Sequence, residues 1–458
     1  MQSEGSNLIE GEHGEACDVC VVGAGAAGLF AAIHAARVLR TQGREGRVIA
    51  VDGAKKIGAK ILVAGGGRCN VTHHVVDEQQ YTGTSRPAIR KVLGRFGVER
   101  TVEFFAELGV ELKQEETGKL FPVSDDAQTV LDALLTALKQ ANAELWHPWR
   151  VASIRRCDAG FVVTTSSESQ HARVIVAKRV VLAPGGMALP RTGSDGGGYA
   201  IAKALGHTQT AEIFPALVPL RVQSHHWIPE LSGVSLRATL SVRVPKHELK
   251  FPLQENALTQ LASVKPLQSF TNSVLLTHFG LSGPAALDIS RYWTASQVQT
   301  AAAHKGVLCI NWLPDVAEAT LDETLAKGGK RTLKRLLIEL SLPERIASAV
   351  LRAVGVDADQ TAQGLSRQQR TAIVREVSCC VVPVEGDRGF TFAEVTAGGV
   401  PLTEIKLDTM ESRVCNGLHL CGEVLDVDGR VGGFNFQWAW ASGFAAGQGA
   451  ALGLLEAS

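Results

Sequence analysis

Gly23-Ala24-Gly25-Ala26-Ala27-Gly28 spells GxGxxG at the end of the apolar run Asp18–Gly23, and Asp52 closes the next apolar run, Arg47–Asp52. Glycines at this spacing permit a tight turn and let backbone approach a pyrophosphate. The following helix N-terminus offers free N–H groups and partial positive charge. An acid ending the second strand accepts hydrogen bonds from a ribose 2′-OH and disfavours a 2′-phosphate. Between a strand and a helix, Gly23, Gly25, Ala26, Ala27, Gly28 and Asp52 therefore read as a dinucleotide site.

GxGxxG alone does not separate NAD from FAD. A second glycine loop, Lys60-Ile61-Leu62-Val63-Ala64-Gly65-Gly66-Gly67-Arg68-Cys69-Asn70, carries Lys60, Arg68, Cys69 and Asn70. A third segment, Ala183-Pro184-Gly185-Gly186, ends an apolar run, and Ala183 and Gly185 are candidate backbone contacts. Val151, near the start of a later strand, is another candidate. Near the C-terminus come Gly422-Glu423-Val424-Leu425-Asp426 and Gly432-Gly433-Phe434-Asn435-Phe436-Gln437. Contacts spread from residue 23 to residue 437 suit the longer FAD. The C-terminal acid, Glu423 or Asp426, would bond the ribityl chain, and the last helix would turn its dipole on the flavin pyrimidine.

Other reactive residues are weighed against plainer roles. Cys69 sits beside Arg68, whose charge would lower a thiol pKa, so Cys69 is a candidate proton donor or flavin-tuning group as well as a packing residue. His278, in Thr277-His278-Phe279-Gly280, is a candidate general acid or substrate contact; the plainer role is to hold a turn. Cys17 and Cys20, three apart on a strand, are expected on opposite faces as small buried hydrophobes. Cys379-Cys380 reads as core or loop. No His spacing suggests a metal. Lys327, Lys330, Arg331, Lys334 and Arg335 put five positive charges in nine residues. They read as a solvated helix face, or as a docking surface for RNA phosphate.

The elements that must position these residues can be traced along the chain. Asp18–Gly23, a helix over 28–39 and Arg47–Asp52 make a βαβ start. Helices are expected over 98–108 and 127–141, and strands over 149–155, 161–165, 174–176 and 179–183. From 218 to 287 the texture is mainly β. From 315 to 377 it is helical, with Leu333, Leu336, Leu337 and Leu340 on one stripe. Strands over 392–395 and 418–421 and a helix from about Gln437 return to α/β texture. The expected order is a disordered tail (1–16), a cofactor domain (17–205), a β-rich insert (206–314), a helical insert (315–385) and the rest of the cofactor domain (386–458).

Composition narrows the class. Of 458 residues, 45% are hydrophobic and 20% charged, which excludes a disordered chain. Lys plus Arg equals Asp plus Glu at 46 each, against a protein that coats nucleic acid by net charge. Nine cysteines build no disulfide framework, so a reducing, cytoplasmic setting is expected. No signal peptide or membrane span is expected, and a monomer is the starting assumption.

The stretches VVGAGAAGLFAA, GAKILVAGGGRCNVT, THFGLSGPAALDIS, EVTAGGV and GEVLDVDGRVGGFNFQWAWASG make the chain similar to the BaiN/RdsA (YhiN-like) FAD-dependent oxidoreductases over nearly its whole length. The resemblance implies a glutathione-reductase-like FAD domain interrupted by a β-barrel-like insert and a small helical insert. It assigns cofactor contacts to the Gly23–Gly28 loop, Asp52, Lys60, Arg68, Cys69, Asn70, Glu423, Asp426, Gly433, Phe434 and Asn435. Relatives carry Tyr at the position of Phe434 and Phe-Thr-Asn where this chain has Val71-Thr72-His73. The implied activity is reduction of a C=C bond conjugated to a carbonyl. Flavin N5 delivers hydride, and NAD(P)H is a transient reductant without its own Rossmann domain. Uridine in ribosomal RNA is the expected substrate, a small enone such as a dehydro bile acid the alternative, and a non-enzymatic flavoprotein sensor a third.

Overall fold

The Val-rich run at the start of the chain forms the strand Glu15–Val22, a parallel strand buried on both faces, as continuous apolar runs require. In the computed structural model, residues 14–165, 173–247, 255–298 and 304–456 are described. The strand begins at Glu15, two residues inside the expected tail; residues 1–13 lie outside the described set.

Two compact units divide the chain. One holds residues up to Ile213 and from Val395 onward; the other is Phe214–Glu394. In the first, the sheet runs Ile405–Lys406, Glu411–Ser412, Leu418–Leu420, Val174–Leu182, Glu15–Val22, Val48–Val51, Glu144–Trp146. The five strands from Leu418–Leu420 to Glu144–Trp146 are parallel. The expected strands over 174–176 and 179–183 are one, because Ala177 pairs with Cys17 on one side and Phe161 on the other. Residues 392–394 are not in a strand; Val395–Ala397 is. Val22, Val51, Leu182 and Leu420 all end at the same carboxyl edge, where open α/β sheets bind ligands.

Two helices back this edge. Ala26–Thr41 follows the glycine loop, and Phe434–Glu456 starts three residues before the expected Gln437. They pack closely because Gly443 and Gly447 present no side chain to the Ala27 and Ala31 carbonyls. A Cβ on either glycine would overlap that backbone. The long small-residue helix is thus buried against a second helix. No helix among the described residues is long and apolar enough to cross a membrane.

In the second unit, seven strands form an antiparallel sheet from Cys380–Val382 through Val307–Asn311, Ser235–Arg243, Gln268–Thr277, Gly280–Ser282 and Leu220–Val222 to Val384–Asp387. The two edge strands are separated only by Pro383, so the sheet must curl until its edges approach, as a barrel-like insert requires. The helices Glu255–Ser263, Pro284–Val298, Glu318–Ala326, Leu333–Glu339, Glu344–Ala353 and Arg367–Ser378 belong to the same unit. Leu333, Leu336 and Leu337 share one core with Leu240, Val274 and Leu276 of the sheet, so the β-rich and helical stretches are a single unit. It runs from Phe214 to Glu394, where the two inserts together were expected over 206–385.

Strict alternation fails at Cys17 and Cys20. The N–H groups of Asp18 and Val19 both donate to the Arg47 carbonyl, a bulge-like irregularity in the strand. It turns the two thiols toward each other: contact with Cys17, with burial, pushes the Cys20 thiol well up.

Candidate functional site

The glycine loop is shaped by steric necessity. Gly23 has φ +99°, and a Cβ there would overlap the Ala183 carbonyl. A Cβ at Gly28 would overlap the Gly23 carbonyl. Gly25 differs. It caps the helix in extended conformation (φ −78°), and a Cβ there would meet nothing within 4 Å. Open space thus lies before the helix N-terminus, where a pyrophosphate fits. Asp52 shapes the same loop: its carboxylate accepts the Ala24 N–H at 2.7 Å and the Ala54 N–H at 2.7 Å. Two of its roughly four lone-pair sites remain for a ribose hydroxyl.

The other predicted segments converge here. The Ala183 N–H donates to the Val22 carbonyl at 2.8 Å. Gly185 (φ +78°) has no room for a Cβ beside Ser194. Gly422 (φ +75°) lies against Ala27; its N–H donates to Ser442 Oγ at 3.0 Å and its carbonyl accepts from Trp438 Nε1 at 3.2 Å. Val151 lines an open groove of about 1080 Å³ with Arg150 and Gly197. Arg150 pairs with Asp195 at 2.6 Å and passes under Gly53, next to Asp52.

The second loop is strongly bent: Gly65, Gly66, Gly67 and Cys69 all have positive φ. A Cβ at Gly66 would meet nothing within 4 Å, so this exposed glycine faces open space. Lys60 Nζ lies 2.5 Å from Glu423 Oε2, while Glu423 Oε1 accepts the Thr396 N–H at 2.9 Å. Thr396 Oγ1 in turn accepts the Met187 and Ala188 N–H groups at 2.7 and 3.0 Å. Glu423 therefore joins three of the glycine segments. The buried Asp426 accepts from Thr84 Oγ1.

Several predicted contacts are engaged within the protein. With its amide oriented to satisfy both neighbours, Asn70 donates to the Thr72 carbonyl at 2.8 Å and accepts the Gly433 N–H at 3.0 Å. Asn435 clamps Gly429 through both its N–H (2.8 Å) and its carbonyl (2.9 Å). The Phe434 carbonyl accepts from Tyr81 OH at 2.7 Å, and its ring stacks on His73, centroids 4.9 Å apart. Arg68 is turned to Glu115 at 2.6 Å and Asp125 at 3.5 Å and lies over Phe121. It does not lower the Cys69 pKa, as its position in the sequence suggested. Cys69 is wholly buried, and burial pushes its thiol up to about 12.

Gln437 had no predicted role. It is buried, and its amide oxygen accepts from Thr72 Oγ1 (2.6 Å) and Thr101 Oγ1 (3.0 Å) while its nitrogen donates to the Phe96 carbonyl (2.7 Å). It fixes the first turn of the terminal helix. A polar residue flanked by the aromatic residues Phe436 and Trp438 was its signal in the sequence.

In the second unit, His278 is exposed at a strand turn. Thr277 holds that turn instead: its hydroxyl accepts the Gly280 N–H at 3.1 Å and donates to the Gly280 carbonyl at 3.0 Å. Four of the five helical-insert cations meet carboxylates. Lys327 pairs with Glu323, Arg331 and Arg335 with Glu339, and Lys334 with Glu344 and Asp359.

Glycine loops gathered at the carboxyl edge of a parallel sheet, with open space before a helix N-terminus, define a dinucleotide-binding protein of the Rossmann type. Residues 17–449 match the family described as HI0933-like protein, Rossmann domain. The chain belongs to this family of FAD-dependent oxidoreductases. It is 33% identical to a 3-dehydro-bile acid delta(4,6)-reductase of Clostridium scindens, over 94% of this chain and 98% of that one. It is 31% identical to a ribosomal RNA dihydrouridine synthase of Escherichia coli, over 95% and 98%. A protein of the same name from Haemophilus influenzae is 30% identical, over 93% and 96%.

Proposed function

We propose that the protein reduces a C=C bond conjugated to a carbonyl, with NAD(P)H as reductant, and that its substrate is uridine in ribosomal RNA. Its similarity to two ribosomal RNA dihydrouridine synthases along nearly their whole length carries this proposal. Saturating the uracil C5=C6 bond and reducing a 3-dehydro-bile acid at a delta(4,6) unit are the same chemistry on different frames.

FAD, when bound, supplies the hydride. The chain's residues bind and orient it. The Gly23–Gly28 turn and the helix after it receive the pyrophosphate. Asp52 takes a ribose hydroxyl, and the Lys60–Glu423 pair holds the glycine loops together. The N-terminus of the helix from Phe434 offers partial positive charge to a group that gains electrons. Cys69, neutral and buried, packs the loop and is a poor proton donor at neutral pH.

The test is incubation of purified protein with unmodified ribosomal RNA and NADPH or NADH, followed by mass spectrometry of nucleosides. Dihydrouridine formed only with reductant supports the assignment. Its absence, with turnover of a small steroid enone, would assign the bile-acid-like activity that the 33% identical relative suggests.

A further inference from the structure

Outside the cofactor cradle, the second unit presents a cation set closely over two aromatic rings. Arg388 follows the edge strand Val384–Asp387 and is held by its backbone: its N–H donates to the Pro219 carbonyl at 3.1 Å. Its guanidinium lies over Phe392 at 3.5 Å from the ring centroid and over Phe279 at 4.3 Å. Phe392 is 45% exposed. Exposed His278 stands beside Phe279, ring centroids 5.1 Å apart.

No carboxylate pairs with Arg388 among the described residues. Its neighbour Asp387 is engaged elsewhere, accepting the Gly389 N–H at 2.7 Å and the Thr294 hydroxyl at 3.4 Å. A second cation adjoins: a Cβ at Gly386 would lie 3.2 Å from Arg221 Nη2, and Arg221 is exposed. The helical-insert cations, by contrast, are mostly paired. Ring contacts engage the faces of a guanidinium, leaving its in-plane N–H donors for an oxyanion. An exposed ring beside such a cation is the pairing that single-stranded nucleic acid uses, one partner for a base and one for a phosphate.

We propose that Phe279, Arg388 and Phe392 form a docking platform for a single-stranded RNA segment. Arg388 takes a phosphodiester and Phe392 stacks on an unpaired base. The platform rests on the uridine reading above and moves the RNA contact away from Lys327–Arg335.

The test is titration of a short uridine-containing single-stranded RNA into the FAD-loaded protein, followed by fluorescence anisotropy across a salt series. Arg388→Gln is expected to weaken binding about tenfold and to flatten the slope of log K against log salt by about 0.7, the value for one phosphate on a single strand. Phe392→Ala is expected to weaken binding about fivefold with the slope unchanged. FAD content and the flavin spectrum report folding of each variant. If Arg388→Gln does not fold, Arg388→Lys, which keeps charge but loses the planar stack, is expected to weaken binding and keep the slope. Wild-type affinity in every folded variant overturns the platform while leaving the uridine reading intact. A loss confined to Lys330→Gln also overturns it and returns the contact to the helical insert. Wild-type protein that binds no RNA but reduces a small enone overturns the uridine reading and the platform with it.

Discussion

Lys60 and Glu423 are 363 residues apart in sequence and 2.5 Å apart at their charged atoms. The pair joins the second glycine loop to the C-terminal segment of the candidate cofactor site through one carboxylate.

Glu423→Gln keeps the side-chain shape and an acceptor for the Thr396 N–H but removes the charge from Lys60. A half-buried, charge-assisted hydrogen bond of this kind contributes about 1–3 kcal/mol. The variant is expected to melt several degrees lower without FAD and to lose FAD faster on dilution. Differential scanning fluorimetry and flavin fluorescence measure both. An unchanged melt and FAD affinity would remove Glu423 from the cradle.

Gly25 and Gly28 are expected to fail in different ways. Gly25→Val meets open space in ordinary extended backbone, so the protein should fold with its normal circular dichroism yet purify colourless. Gly28→Ala sets its methyl against the Gly23 carbonyl and should be unstable whether or not FAD is present. A yellow Gly25→Val protein would contradict the pyrophosphate assignment.

Cys69 should be inert. The thiolate is the reactive form, and a wholly buried thiol raised to about 12 holds almost none of it at pH 8. Iodoacetamide treatment of native protein at that pH, followed by peptide mass spectrometry, should leave Cys69 unmodified until denaturant is added. Rapid labelling of the folded protein would restore a reactive role for it.

Acid stability should depend on His34. This ring is buried among Phe30, Phe96, Phe104 and Phe444, and burial, then the charges of Arg37 and Arg100, lower its pKa from 6.5 to about 3. Between those values the unfolded chain binds a proton that the folded one does not. Stability is therefore full above pH 6.5 and falls as pH drops toward 3, by up to about 1.4 kcal/mol per pH unit. His34→Leu should flatten this decline in urea melts between pH 7 and 4. His226 and His419, both lowered to about 4, will leave some slope. A decline as steep as the wild type's would exclude His34 as a source.

The sequence by itself determined the glycine turns and strand ends of the candidate cofactor site. The strand–GxGxxG–helix pattern made Gly23, Gly25 and Gly28 legible, as it did Asp52 at a strand end, and the short glycine runs marked Gly185 and Gly422. The apolar runs gave the parallel sheet, and the Leu stripe gave the helices of the second unit.

The tertiary structure decided which polar groups are spoken for. Asn70 and Asn435 clamp backbone, and Arg68 faces Glu115 instead of the Cys69 thiol. Most of the helical-insert cations meet acids within eight residues, and Lys334 alone reaches Glu344 and Asp359 of following segments, while Arg388, ordinary in sequence, meets none among the described residues. A bulge brings Cys17 to Cys20, and a shared core makes one unit of two textures. Charge pairing, burial and ring stacking depend on distances between segments far apart in sequence. Residue type and spacing set the backbone locally; only packing of the whole chain fixes which side chains remain free.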